Sequence, residues 1–401
     1  MIHSFSCKNF YSISEKTVVD FTVNDKAPKD NGYFTAPSGI HLSKVETVIG
    51  PNASGKTNLL KALPFLKWLI LDSFSVDPSA QLPIKPFLFG SKKDEPSELS
   101  TDFEINGNIY TYSFILNLTK ILKEELRVKN KTKQKTTSKM VFIRQWNEKD
   151  NEYSFEGKGF NLPKELLRRT NSSIISSAIR LGNEEAFEIA DFWRKIETNV
   201  TELGWVGGHL FMPLGQHLFD ALNFYSENAK LKKEAEKLLS RFDLGLDAFD
   251  IEKISQENGA VSINAKVAHM FKGQKQYLPI EYESSGTRQL FMLLKTILRV
   301  LATGGVAVLD EFDVNLHPDM AVALLDFFVQ PETNIKNAQL LFSTHSHIVL
   351  SKLDKYQIIL TEKNESGETE SWRLDEVTGV RADDNYYTKY IAGAYGAVPK
   401  L

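Results

Sequence analysis

The residues most able to do chemistry stand together at Gly50-Pro51-Asn52-Ala53-Ser54-Gly55-Lys56-Thr57, a run of the form G-x-x-x-x-G-K-[ST]. Its two glycines permit a turn in which several backbone N–H groups point into one concavity that a side chain would fill. A helix beginning near Lys56 adds the positive end of its dipole, so the natural guest is a polyphosphate. Lys56 would reach the β- and γ-phosphates, and the Thr57 hydroxyl would hold Mg²⁺. Asn52, Ala53, Ser54, Gly55, Lys56, Thr57 and Asn58 are therefore the expected nucleotide contacts.

Such a loop works only between a strand and a helix. Val45-Glu46-Thr47-Val48-Ile49 precedes it, β-branched and apolar enough for a buried strand. Leu59, Leu60, Leu63, Leu66 and Ile70 follow at helical spacing. Three later stretches offer companions. Glu283-Ser284-Ser285-Gly286-Thr287 opens an apolar helix and reads either as a second anion site, through Ser285 and Gly286, or as an ordinary helix cap. Gly305-Val306-Ala307-Val308-Leu309 is an apolar strand ending in Asp310-Glu311. Asp310 is placed to hold Mg²⁺, and Glu311 to orient or deprotonate water attacking a γ-phosphate. A further buried strand from Gln339 ends at His345, which would donate to a γ-phosphate oxygen.

The bulk properties neither favour nor oppose a particular partner. The chain has 401 residues, a formal net charge of −3 and one cysteine, Cys7. A single cysteine allows no internal disulfide and fits a reducing cytoplasm. The first residues lack the pattern of a signal peptide, and the longest apolar run is too short to span a bilayer. Taken in order, residues 2–7 and 16–21 read as strands, 22–44 as irregular, and 83–89 as at best an edge strand because of Pro83 and Pro86. Asn106-Gly107 joins two alternating runs, the strongest short signal for a hairpin. A second strand pair, 121–129 and 139–146, is joined through Lys131, Lys133 and Lys135. The connection from Lys129 to Lys139 reads either as a solvated hairpin tip or as a basic contact for nucleic acid. Helical patterns occupy 165–179, 184–193 and 216–241, and strands resume at 251–254, 260–268 and 275–282. The expected organisation is an N-terminal lobe over 1–160, a helical insertion over 161–245 and a C-terminal lobe over 246–401.

In this order the motifs resemble the ATP-binding cassette ATPases, in the branch that holds the SMC and recombination-repair proteins. Gly50 to Thr57 resembles Walker A, Ser284-Ser285-Gly286 the signature, and Asp310-Glu311 Walker B, with Asp313 at the D-loop and His345 at the switch histidine. Pro86-Phe87, Asn171-Ser172-Ser173, Leu316-His317-Pro318 and the tail from Gly393 to Pro399 look like the stand-alone ATPases of the AbiL/RloA type, relatives of the OLD family found in anti-phage operons. The signature departs from the transporter form, being Ser-Ser-Gly-Thr, and Gln81 is no secure counterpart of the Q-loop. The resemblance implies an α/β fold of the ABC-type P-loop NTPase class, with a mixed sheet, an antiparallel β subdomain and a short helical insertion. It also implies ATP and Mg²⁺ as cofactors and a head-to-tail homodimer or a higher assembly. Each ATP would lie between Lys56 of one subunit and Ser285-Gly286 of the other. The effector would be a separate protein, a Toprim-like nuclease, because the residues after His345 are too few for such a domain. The alternative is an ATP-dependent DNA clamp or scaffold without an effector.

Overall fold

Val45–Ile49 is buried at every position, which requires cover on both faces and neighbours on both edges. The computed structural model supplies both. It describes residues 1–131, 136–160, 162–200, 214–242, 246–255, 261–313 and 316–399. Val45–Ile49 lies in a six-stranded sheet ordered Ile196–Thr198, Val306–Leu309, Gln339–Ser343, Val45–Ile49, Ile358–Lys363, Thr369–Arg373. The first five strands run parallel and the last returns antiparallel. Alternate residues of these strands enter two different cores, as the two-residue period of a strand demands. Val306 and Val308 face one core, Ala307 and Leu309 the other. The fold is thus α/β with mixed sheets, as expected.

The first core forms around the helix Lys56–Leu71. It is buried almost all round, because it lies between the parallel sheet and a seven-stranded antiparallel sheet. That second sheet contains both hairpins read from the sequence. Asn106 (φ 50°) and Gly107 (φ 83°) make the left-handed two-residue turn between Ser97–Ile105 and Asn108–Leu116. The next pair is Ile121–Lys131 with Thr136–Asn147. Lys133 and Lys135 lie outside the described residues, and Lys129 lies 3.7 Å from Asp102.

Several readings are corrected. Residues 22–44 are not wholly irregular: Tyr33–Thr35 and His41–Ser43 pair antiparallel, too short to show a pattern. Residues 83–89 form no strand. The helical run over 216–241 is two helices, Leu214–Glu227 and Ala229–Arg241, separated at Asn228, whose ψ of 72° is not helical. The helices of the segment 161–245 pack in two groups. Ile174–Arg180 and Glu184–Trp193 sit against the helix Lys56–Leu71. Leu214–Glu227 and Ala229–Arg241 cover the helix Ser285–Thr303 together with the sheet Leu246–Ser255, Val261–Phe271, Gln274–Pro279. Among the described residues no helix is long and apolar enough to cross a membrane.

One buried polar knot ties the antiparallel sheet to the first core. Arg144 donates to Glu124 (2.6 Å), to the Ser172 carbonyl (2.7 Å) and to the Arg169 carbonyl (3.0 Å). Glu124 also accepts from the Tyr112 hydroxyl and from the Ile174 N–H, 2.7 Å away. The motif Asn171-Ser172-Ser173 is thereby structural: Ser173 caps the helix Ile174–Arg180, and Asn171 holds the Asp77 and Ala80 carbonyls. Arg144→Met would leave Glu124 buried without its partner, at a cost of about 3–5 kcal/mol. A urea midpoint equal to that of wild type would refute this role.

Glu46 is fully buried in the loop-bearing strand, with the Ser43 hydroxyl donating to it at 2.5 Å. Burial raises its carboxyl well above the ordinary value, against the opposing charge of Arg373. A carboxyl whose folded pKa exceeds its unfolded value of about 4.5 opposes folding increasingly as pH climbs above that value. Glu46→Gln should therefore gain melting temperature over wild type, and gain more at about pH 8 than at about pH 5. A gain that does not grow with pH would contradict the assignment.

Candidate functional site

The phosphate loop leaves the strand at Gly50 and enters the helix through Gly55, whose φ is +108°. Both glycines are required by space. A Cβ at Gly50 would lie 2.1 Å from the Thr361 carbonyl oxygen, and one at Gly55 2.1 Å from Thr369 Oγ1. These threonines come from the hairpin Ile358–Lys363/Thr369–Arg373, which packs directly under the loop. Thr369 Oγ1 donates to the Ser54 carbonyl at 2.9 Å, and Ser54 Oγ shares a 2.8 Å hydrogen bond with Thr361 Oγ1. Ser12 completes the brace. Its carbonyl accepts from the Thr369 N–H (2.7 Å) and its hydroxyl from the Asn58 side chain (2.8 Å).

Asn52 through Asn58, Asp310, Glu311 and His345 line one cleft of about 530 Å³, joined there by Lys363. The structure thus brings together nearly every site residue expected from the sequence. Lys56 Nζ donates to the carbonyls of Gly50 and Pro51, each at 2.9 Å. Burial lowers its pKa, and the carboxylates of Asp310, Glu311 and Asp313 act against that shift. The ammonium therefore waits inside the loop, on weak neutral acceptors that an anion can displace.

The acidic pair is held by Ser343 and Asn199, two residues with no role assigned from the sequence. Ser343 Oγ donates to Asp310 Oδ1 at 2.5 Å and accepts from the Glu311 N–H at 2.8 Å. Asn199, just beyond the edge strand Ile196–Thr198, clamps the Asp310 backbone: its Oδ1 accepts from the Asp310 N–H (2.7 Å) and its Nδ2 donates to the Asp310 carbonyl (2.9 Å). Glu311 itself sits at φ +48°, a left-handed conformation that costs a non-glycine residue about 1 kcal/mol or more. The turn persists because Phe312 donates to the Ser343 carbonyl (2.9 Å) and buries its ring against Phe342. The strain aims the Glu311 carboxylate into the cleft, 3.9 Å from His345 Nε2. Asp313 Oδ1 accepts from the His345 N–H at 3.3 Å. A hydroxyl closing the apolar run Leu340-Leu341-Phe342 was a readable signal for Ser343. A three-residue strand left none for Asn199.

Ser285 and Gly286 do not line this cleft. They open the helix Ser285–Thr303, capped by Ser284, whose hydroxyl accepts from the Thr287 N–H at 3.0 Å. Ser285 is exposed and is not the capping residue. Gln81 is exposed and lies outside the cleft lining as well.

The donor set fits a magnesium nucleotide: a loop with no room for a Cβ, an ammonium on displaceable acceptors, and the Thr57 hydroxyl in one cleft with a braced Asp310 carboxylate. Ser343→Ala removes the hydroxyl that serves both acids. It should raise the Mg²⁺ concentration needed for half-maximal nucleotide binding by about 10- to 100-fold, with the fold intact. An unchanged magnesium requirement would show that Ser343 does not position Asp310.

The profile of the family described as "AAA domain, putative AbiEii toxin, Type IV TA system" matches residues 47–351. Among solved structures, the SMC head domain from Thermotoga maritima aligns over 93% of this chain and 98% of its own, at 14% identity and a TM-score of 0.43. An Smc head bound to the C-terminal winged-helix domain of ScpA aligns over 94% and 99%, at 15% identity and a TM-score of 0.46. An Smc head with an extended coiled coil, bound to the C-terminal domain of ScpA derived from Pyrococcus furiosus, aligns over 94% and 97%, at 14% and 0.38. No curated protein matches the chain.

Proposed function

We propose that this chain, which belongs to the AAA-domain family described as putative AbiEii toxin of type IV TA systems, is an ATP-binding and ATP-hydrolysing switch in anti-phage defence. The observation that carries the reading is the convergence on one cleft of the phosphate loop, the braced Asp310, the strained Glu311 and His345. Lys56 would exchange the Gly50 and Pro51 carbonyls for β- and γ-phosphate oxygens. Thr57 and Asp310 are the residues that would hold Mg²⁺, which when bound neutralises charge on the phosphate oxygens. Glu311 would orient the attacking water and take its proton, and His345 would donate to a γ-phosphate oxygen.

The open side of the cleft supports the second part of the reading. Nothing from the signature segment covers it within one chain. The exposed Ser285 and the helix N-terminus behind it would close it from a second copy, in a head-to-tail homodimer with two equivalent sites. ATP would hold this dimer shut and hydrolysis would loosen it. The output would pass to a separate effector, a Toprim-like nuclease, in a cytoplasmic system of the AbiL/RloA type. The family's description as a putative toxin supports a role in defence.

Glu311→Gln tests the mechanism. The variant should bind ATP, lose turnover by about 100-fold or more, and shift to a dimer when sedimented with ATP. Turnover at the wild-type rate would overturn the assignment of Glu311, and a monomer that stays monomeric with ATP would overturn the dimer.

A further inference from the structure

Lys363 shares the cleft with the phosphate loop and has no part in the chemistry proposed for Lys56, Thr57, Asp310, Glu311 and His345. It ends the strand Ile358–Lys363, which pairs with Val45–Ile49 on the edge opposite Gln339–Ser343. The register runs Ile358 to Thr47, Ile359 to Val48 and Leu360 to Ile49, so the strand continues beside the phosphate loop itself. Asp310, Glu311 and His345 follow the strands on the other side. The cleft is therefore polarised, with carboxylates at one end, Lys56 in the middle and Lys363 at the far end. Among the described residues Lys363 forms no ion pair, and its ammonium donates only to the Gly367 carbonyl, at 2.6 Å. Partial burial with no carboxylate beside it lowers its pKa. The hairpin that carries it is pinned by hydrogen bonds. Asn364 Oδ1 accepts from the Ser366 and Glu368 N–H groups, each at 3.0 Å, and Thr369 anchors the returning strand to Ser54.

A nucleotide whose γ-phosphate lies among Thr57, Asp310 and Glu311 must extend across the loop toward that lysine. We propose that Lys363 is a second cationic grip on the nucleotide, pairing with the phosphate nearest the ribose. The assignment rests on the ATP-binding reading. It adds a contact that ATP and ADP share, unlike the γ-phosphate contacts of Glu311 and His345. A lysine on a single neutral acceptor can turn to a phosphate oxygen at little cost, and the charge-assisted bond it gains is the stronger one.

The test is calorimetric titration of Lys363→Ala, Lys363→Arg and wild type with ADP and with the slowly hydrolysed analogue ATPγS, alongside melting of the nucleotide-free proteins. Lys363→Ala should weaken both nucleotides alike, by roughly tenfold. Its melting temperature without nucleotide should match wild type, and Lys363→Arg should restore most of the affinity. Unchanged ADP affinity would overturn the proposal, whatever happens to ATPγS. So would an affinity loss that tracks a lower melting temperature and is not rescued by arginine, since that marks a structural role. Wild type binding neither nucleotide would instead overturn the ATP-binding reading itself.

Discussion

The phosphate loop keeps its shape because two threonine hydroxyls from the end of the chain press against it. Thr361 and Thr369 fill the space where side chains at Gly50 and Gly55 would otherwise stand, and both hydrogen-bond to Ser54. Lys56 holds the Gly50 and Pro51 carbonyls from within the loop, but the Ser54 carbonyl takes its donor from outside. The hairpin under the loop is that donor. The tail fastens the hairpin in turn: Glu362 accepts from the Ala397 N–H, and Tyr390 donates to the Ala397 carbonyl. Residues far from the loop in sequence thus bear directly on its geometry.

Around this contact the sheet order distributes charge. Parallel strands all end on one edge, so the side chains after each C-terminal end meet there. Val306–Leu309 delivers the two acids, Gln339–Ser343 delivers the hydroxyl that orients them and then His345, and Ile358–Lys363 delivers a lysine. The strain at Glu311 belongs to the same economy. Its left-handed backbone is unfavourable alone and is kept by Ser343, Asn199 and the buried ring of Phe312. The helix Lys56–Leu71, enclosed by two sheets, gives the loop a footing that does not shift.

Cover for the cleft is the part that one chain lacks. The helix Ser285–Thr303 is capped locally by Ser284 and buried along its apolar face, and neither Ser285 nor Gly286 lines the cleft. Ser285 is exposed at the N-terminus of that helix. In the proposed head-to-tail dimer, a two-fold axis would bring this helix end to the partner's cleft.

Motif residues and buried strands were legible because they depend on local rules. The glycine spacing, the run Val45–Ile49, the acids after Leu309 and the Asn106-Gly107 turn each encode their conformation within a few residues. The short pair Tyr33–Thr35/His41–Ser43, the break at Asn228 and the two-way packing of the helices over 161–245 were not legible, since short elements carry no period and partners lie far along the chain. Asn199, Thr361, Thr369 and Lys363 fall in the same class, whereas Ser343 carried a local signal at the end of its strand. By itself the sequence determined that a polyphosphate loop exists and which acids accompany it, because backbone freedom and charge are properties of the residues themselves. Only the tertiary structure decided what braces the loop, what bends Glu311 toward the cleft and which lysine faces its far end, because those depend on strand order, and strand order is set by the burial of both faces of the sheet.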